Sequence, residues 1–325
     1  MSAQDTELTA AWASIRCGFL TQEQPELIVV DADSQIVSAC KTLADNGISS
    51  APVFDSAKNS YLGMLEYADL VALVLAAKQR SHLPEGNESL ENYISQGGQF
   101  QVAVRHAVDI SERNPFYSLF PESTLLNAVQ VFSSGAVRRI VVMSGDGKLH
   151  GIISQTTVLR FVHDHLLSQM DGIVRQTLEQ LNIGSQPVVQ LNGNAPVIDA
   201  LELMHTHKFS SVALVESDGT ISGNISLSDV KLLFRKRSLG LLSHSCRTYV
   251  ATIRQEEIRH ASPEHPEAST AKWPYWSVPV TATLHSVILK MVATRSHHIF
   301  VIDAHKRPIR IVSVGDVLRA LTPRE

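Results

Sequence analysis

The chain repeats one pattern four times, and any fold it adopts has to accommodate that repetition. Each copy opens with an apolar, helix-periodic stretch. A short β-branched run follows, then a polar turn, a second strand, and a Ser/Thr-x-x-Asp-like step into a closing helix. In the first copy the helix spans Ser34 to Asn46. Ala51-Pro-Val-Phe54 and Tyr61-Leu-Gly-Met-Leu65 are strands flanking a turn from Asp55 to Asn59, and Asp69 opens the closing helix. The second copy has its helix at Thr124 to Ser134, strands at Arg139 to Met143 and His150 to Ile153, and Thr157 at the closing step. The third runs through Val197 to His207, Ser211 to Val215, Ile221 to Ile225 and Asp229. The fourth runs through Leu284 to Thr294, Ile299 to Ile302, Ile309 to Val312 and Asp316.

The equivalent positions 69, 157, 229 and 316 are spaced by 88, 72 and 87 residues. This long–short–long rhythm suggests two pairs of repeats with the longer connections inside each pair. Mixed strands and helices argue for small sheets covered by helices, an α/β (α+β) class built of βαββα units. One unit of about 60 residues buries too little surface to be comfortable alone, so pairing about a pseudo-twofold axis is expected to cover the exposed sheet faces. The expected division is an N-terminal segment 1–20, repeats at 21–80, 104–168, 180–240 and 278–325, a linker at 81–103 and an insert at 241–277. Leu83 to Gln101 reads as a connection rich in Gly, Glu, Asn, Ser and Gln. Ser243 to Ser277 carries Pro263, Pro266 and Pro274, and its middle, His260 to Lys272, reads as mobile. Trp273-Pro-Tyr-Trp276 reads as an aromatic segment that docks, on the fold or on a partner.

Composition narrows the function classes. The chain has 325 residues, 44% hydrophobic and 18% charged, which fits a packed globular protein. A formal net charge of −4 supplies no global field for nucleic acid or an anionic membrane. Three widely spaced cysteines, Cys17, Cys40 and Cys246, form neither a disulfide framework nor a zinc pattern. The first twenty residues, with Asp5, Glu7 and Arg16, show no apolar leader. The apolar run Leu70 to Ala77 is too short for a membrane span. A cytoplasmic protein is expected, with the nucleus as a second compartment. Two sequons, at Asn87 and Asn224, read as chance. The histidine pairs His163/His165, His205/His207 and His297/His298 lack metal-site spacing, so no metal is expected. No nucleophile elbow, phosphate loop or zincin motif is present, and the chain reads as a non-enzyme. The basic run Lys231, Arg235, Lys236 and Arg237 reads as a solvated helix end.

The sequence resembles a known family at several of these positions. Tyr61-Leu-Gly-Met-Leu-Glu-Tyr-Ala-Asp69 is similar to the end of the first CBS motif in gamma subunits of the AMP-activated (SNF1-type) protein kinase. Ser296-His-His-Ile-Phe-Val-Ile-Asp303, with Ile311-Val-Ser-Val-Gly-Asp-Val-Leu-Arg-Ala-Leu321, is similar to the fourth. The resemblance covers residues 20 to 323. A second resemblance is to fungal four-CBS proteins that inhibit type 2A-like phosphatases. Val292-Ala-Thr-Arg-Ser-His297 and Ser154-Gln155 fit that group at least as well. The resemblance implies four CBS repeats in two Bateman modules, assembled as a pseudo-twofold disk with adenine nucleotides held between repeats.

It also implies a role for each matching residue. Asp69, Asp229 and Asp316 match aspartates that bond ribose hydroxyls, and Thr157 matches the repeat that lacks one. The phosphate-contacting basic positions carry Ser49, Arg138, Lys208 and His297, followed in the second and fourth repeats by Arg139 and His298. Ser313 and Ser210 match hydroxyls that position ribose or phosphate. The implied ligands are AMP, ADP and ATP. The implied partners are a kinase catalytic subunit and a beta-type scaffold. The alternatives are a phosphatase partner, or a stand-alone protein binding another adenosyl compound such as S-adenosylmethionine. Beside all of these stands a structural role: Ser226-x-x-Asp229 and Ser313-x-x-Asp316 are also helix-capping sequences.

Overall fold

A computed structural model describes residues 9–80, 102–236, 239–260 and 274–323. Each repeat contributes one three-stranded sheet, in which a short parallel strand joins an antiparallel hairpin. In the first repeat these are β1 (Val30–Asp31), β2 (Ser50–Asp55) and β3 (Ser60–Glu66). In the second they are β4 (Ser118–Leu119), β5 (Arg139–Met143) and β6 (Leu149–Ser154). The third has β7 (Gln190–Asn192), β8 (Ser211–Val215) and β9 (Ile221–Ser226). The fourth has β10 (Ser277–Pro279), β11 (His298–Ile302) and β12 (Pro308–Ser313). The register recurs: Ser50 pairs Glu66, Arg139 pairs Ser154, Ser211 pairs Ser226 and His298 pairs Ser313. The residue before each closing helix therefore always faces the start of the central strand.

The first helices behave as their periodicity demands. Ile36–Asp45 buries Ile36, Ala39, Cys40 and Leu43, and Leu284–Thr294 buries Leu284, Val287, Ile288 and Met291, an i, i+3, i+4, i+7 face in each. Thr124, Thr177 and Thr283 cap their helices through the side-chain oxygen.

The repeats condense into two compact units. One comprises residues 28–113 and 189–275, holding the first and third repeats; the other comprises 1–27, 114–188 and 276–325, holding the second and fourth. Adjacent repeats thus lie in different units. The spacing rhythm led to neighbours being paired, and the densest packing instead joins alternate ones. Inside each unit the helices exchange. Lys231–Lys236 packs on Ile36–Asp45 while Tyr67–Arg80 packs on Val197–Thr206. In the other unit Val314–Leu321 packs on Leu125–Ser133 while Leu284–Thr294 meets Gln155–Phe161. Each unit has its own apolar core. In each unit the partner repeat buries these helix faces, as expected of units with little core of their own.

Two segments outside the expected repeats turn out to be core elements. Trp12, fully buried, donates its indole N–H to the Leu321 carbonyl at 3.1 Å; truncating such a side chain costs about 3–5 kcal/mol. In the expected insert, Cys246–His260 is a helix whose Cys246, Tyr249, Val250 and Ile253 join the core of the first and third repeats. The expected mobile stretch, His260 to Lys272, lies outside the described residues beyond His260, as does the whole Leu83 to Gln101 connection. Of the aromatic segment, Trp276 packs against the core of the second and fourth repeats, and its carbonyl accepts from the Phe300 N–H at 2.9 Å.

Outer strands are covered in the unit of the second and fourth repeats. The Gln24 side-chain amide pairs both ways with the Ile152 backbone, at 2.9 and 3.0 Å, and Ser185 exchanges backbone bonds with Ile311. Sheet edges dressed in this way offer no template for pairing with another chain. No described helix is long and apolar enough to cross a membrane.

Candidate functional site

In the unit of the first and third repeats the expected residues converge on one segment. Asp69, fully buried, accepts the Glu66 N–H at 2.9 Å and the Ser111 N–H at 3.0 Å, one on each carboxylate oxygen. Burial pushes its carboxyl up to about 6, against the downward pull of the hydrogen bonds from Ser111 and Glu66. Glu112 lies 3.6 Å from the Lys208 ammonium, an exposed pair. Arg113, only 7% exposed, donates to the carbonyls of Lys208 and Phe209 at 2.7 and 2.9 Å and to the Ser210 hydroxyl at 3.3 Å. Three expected ligand-binding residues, Asp69, Lys208 and Ser210, are therefore each met by one of three consecutive residues.

Asp229 belongs to the same unit. Its Oδ2 accepts the Ser226 N–H at 2.7 Å and the Ser226 hydroxyl at 2.8 Å, and the carbonyl of Asp229 accepts from the buried Tyr249 hydroxyl at 2.8 Å. Tyr249 comes from the helix that the proline-rich reading treated as insert. Leu227 donates to the Ser210 carbonyl, which ties the helix start to the strand start. Ser49, half-buried, precedes β2.

In the other unit the second and fourth repeats meet. The exposed His297 Nδ1 lies 3.1 Å from the Thr156 hydroxyl, and the His297 carbonyl accepts from Val314. Arg138 and Arg139 enter β5. The Arg138 N–H donates to Asn114 Oδ1 at 2.9 Å and its carbonyl accepts from Gln155. His298 faces Ser313 across the hairpin and meets Phe300 edge-on. Asp316 Oδ2 accepts the Ser313 N–H and hydroxyl at 2.9 and 2.7 Å, a reciprocal cap, and its Oδ1 accepts from Arg319 at 3.0 Å. Arg319 also donates to the Ser133 carbonyl, linking the two repeats. Thr157 forms the same cap with Ser154 and brings no carboxylate.

The capping alternative thus has a physical counterpart in all three aspartates: each accepts the backbone N–H three residues before it. They differ in access. Asp69 is sealed, Asp229 is 6% exposed, and the Asp316 side chain is 15% exposed beside a solvated guanidinium. Sequence reasoning missed Arg113 and Arg319, the arginines that bridge the repeats of each unit. Arg319 was visible only as a base in the last helical turn. For Arg113 the available signal was indirect. Gly63 lies where an added Cβ would come within 2.4 Å of Val108, the mark of a segment pressed on β3.

His163 bonds its neighbour Asp164 at 2.6 Å rather than His165, and among the described residues no cluster of His, Cys, Asp and Glu could hold a metal. All three cysteines are buried, and burial pushes the Cys17 thiol up to about 11 and that of Cys246 up to about 12.

The CBS-domain model matches the chain four times, at residues 23–76, 107–164, 181–236 and 271–323. The chain belongs to the CBS-domain family. Its four CBS repeats are similar to the protein sds23 of Aspergillus niger, 32% identical over 301 residues, covering 90% of this chain and 57% of the relative. They are similar also to SDS23 of Podospora anserina, 30% identical over 298 residues, covering 90% and 56%. The chain spans little more than half the length of these relatives. Among solved structures, an archaeal protein from Methanocaldococcus jannaschii, proposed as a homologue of γ-AMPK, superposes with a TM-score of 0.69 at 15% identity over 94% of this chain and 99% of that one. An uncharacterised protein from Pyrococcus horikoshii gives 0.50 at 13% identity, over 94% and 100%. These likenesses establish the four-repeat CBS fold.

Proposed function

We propose that this chain is a non-catalytic CBS regulatory protein that binds an adenosine-type ligand, AMP, ADP or ATP, and passes its occupancy to a protein partner. The observation that carries this reading is the serine hydroxyl–aspartate pair at the closing-helix start of the third and fourth repeats, Ser226–Asp229 and Ser313–Asp316. A carboxylate that accepts from one hydroxyl can accept instead from a vicinal ribose diol, and the adjoining helix N-terminus favours phosphate. His297 and Thr156 beside the fourth repeat, and Lys208 and Ser210 beside the third, supply polar groups for the phosphate end.

Two partner classes follow from the two resemblances. The fungal relatives, alike over nine-tenths of the chain, favour the type 2A-like phosphatase, which the chain would inhibit. The kinase reading, with a catalytic and a beta-type scaffold subunit, draws on the gamma-subunit motifs. In either case ligand acts only through unequal affinity for two states of the assembly. The test is calorimetric titration of the purified chain with AMP, ADP and ATP, repeated on Asp229→Asn and Asp316→Asn. Saturable binding lost from a folded variant supports the reading, and no heat with any nucleotide rejects it. Recovery of a phosphatase or a kinase on the tagged chain decides the partner.

A further inference from the structure

The Ser111-Glu112-Arg113 segment engages, one for one, the groups that the first and third repeats would offer a nucleotide. The Ser111 N–H takes a ribose-type hydrogen bond to Asp69, the Glu112 carboxylate sits at the Lys208 ammonium where a phosphate would, and Arg113 holds the Ser210 hydroxyl and the strand entry. We infer that this segment is an internal occupant of the binding groups of these repeats, which an adenosine-type ligand has to displace.

The geometry is that of a strap. Its approach is fixed by Arg105, whose guanidinium bonds Asp33 at 2.6 Å and Asp55 at 3.2 Å, and by backbone bonds from Val104 and Arg105 to Ser34 and Ala32. Val108 then presses on β3 at Gly63, the one residue type that leaves room there. The strap turns through Asp109 and Glu112, both at positive φ (55° and 52°), a conformation that L-residues adopt at a cost. Backbone held there while the Glu112 carboxylate pairs with Lys208 and the Ser111 N–H occupies one Asp69 oxygen is poised to leave when a better partner arrives. The same competition lowers apparent affinity, because a site open for a fraction of the time binds weaker by that fraction.

This inference rests on the proposed nucleotide reading, and the experiment separates the two. AMP is titrated into the full chain as wild type, Glu112→Gln, Arg113→Lys and the double variant, with Asp316→Ala marking the fourth-repeat event. Thermal melts establish that each variant folds. The double variant is expected to gain a binding event about ten-fold tighter than any equivalent event in the wild type, abolished by adding Asp69→Asn, while the Asp316-dependent event keeps its affinity. Glu112→Gln alone, changing an exposed pair, should give about two-fold. If the buried Arg113 change unfolds the chain, Gly63→Ala displaces the strap through Val108 without touching a polar group, and hydrogen exchange at the Ser111 amide reports its release. Asp316-dependent binding with no Asp69-dependent gain after Ser111 is released overturns the strap and leaves the nucleotide reading standing. No AMP binding in any variant overturns both.

Discussion

Asp69 and Asp316 occupy the same position in two repeats and live in different surroundings. Both accept a backbone N–H from three residues earlier, one from Glu66 and one from Ser313. Asp69 has a second backbone N–H on its other oxygen and no exposure. Asp316 has a serine hydroxyl and an arginine that is half exposed. A shared sequence position therefore fixes the local cap and leaves the remaining valence of the carboxylate to whatever packs over it. In one unit the covering group is a strap of backbone; in the other it is side chains that rearrange at little cost. On the proposed reading, capping and ligand binding are successive uses of the same oxygens rather than rival identities.

The widest gap between the two is expected on truncation. Asp69→Ala leaves the Glu66 and Ser111 N–H groups buried without their acceptor and should cost about 2–4 kcal/mol by urea denaturation at pH 5. Equal losses for Asp69→Ala and Asp316→Ala would erase the distinction.

Acid titration gives the next effect. The Asp69 carboxyl is raised from 3.8 to about 6 in the folded chain, so the folded state binds its proton more tightly. The stability this contributes is fully present below pH 3.8 and is lost as pH rises through about 6. Each unit of displacement is worth about 1.4 kcal/mol, so the full loss approaches 3 kcal/mol. Denaturation midpoints of the wild type should fall over this window relative to Asp69→Asn; parallel curves would show that the carboxyl is not sealed.

Gly63→Ala should cost about 1–3 kcal/mol by forcing Val108 away, whereas Gly145→Ala, with open space around it, should stay within about 0.5 kcal/mol. Thermal melts of the pair measure how firmly the strap is seated. The smallest effect is Asp316→Ala itself, about 1 kcal/mol, the loss of one cap, read in the same urea series.

Much of this architecture was legible in the residues. The Arg139–Met143 and Ser211–Val215 strands and the Leu284–Thr294 helix lie where periodicity places them, because β-branched runs and an i, i+3, i+4, i+7 face are local signals. The Cys246–His260 helix was legible in Cys246, Tyr249, Val250 and Ile253, yet the prolines after it drew the whole stretch into a linker. Which repeats share a core is a matter of which helix faces match, and connection lengths do not carry that information. The Ser226-x-x-Asp229 and Ser313-x-x-Asp316 turns and the matching Asp69 were visible as a pattern; that Asp69 is sealed depends on Ser111, forty-two residues away along the chain. Only Gly63 hinted at it, and a single glycine in a strand has several uses.

The interleaving of the two units has a consequence for how the protein is made. The chain passes from one unit to the other after residues 27, 113, 188 and 275. A ribosome that has released residues 28–113 must add roughly 140 more residues before the helix carrying Tyr249 and Ile253 arrives, on the order of ten to thirty seconds at usual elongation rates. For most of that interval the apolar faces of Tyr67–Arg80 and Ile36–Asp45 have no native partner, since Val197–Thr206 and Lys231–Lys236 emerge only late in it. A chain stopped anywhere before the third repeat is left with those faces uncovered, and exposed apolar surface of that kind favours aggregation.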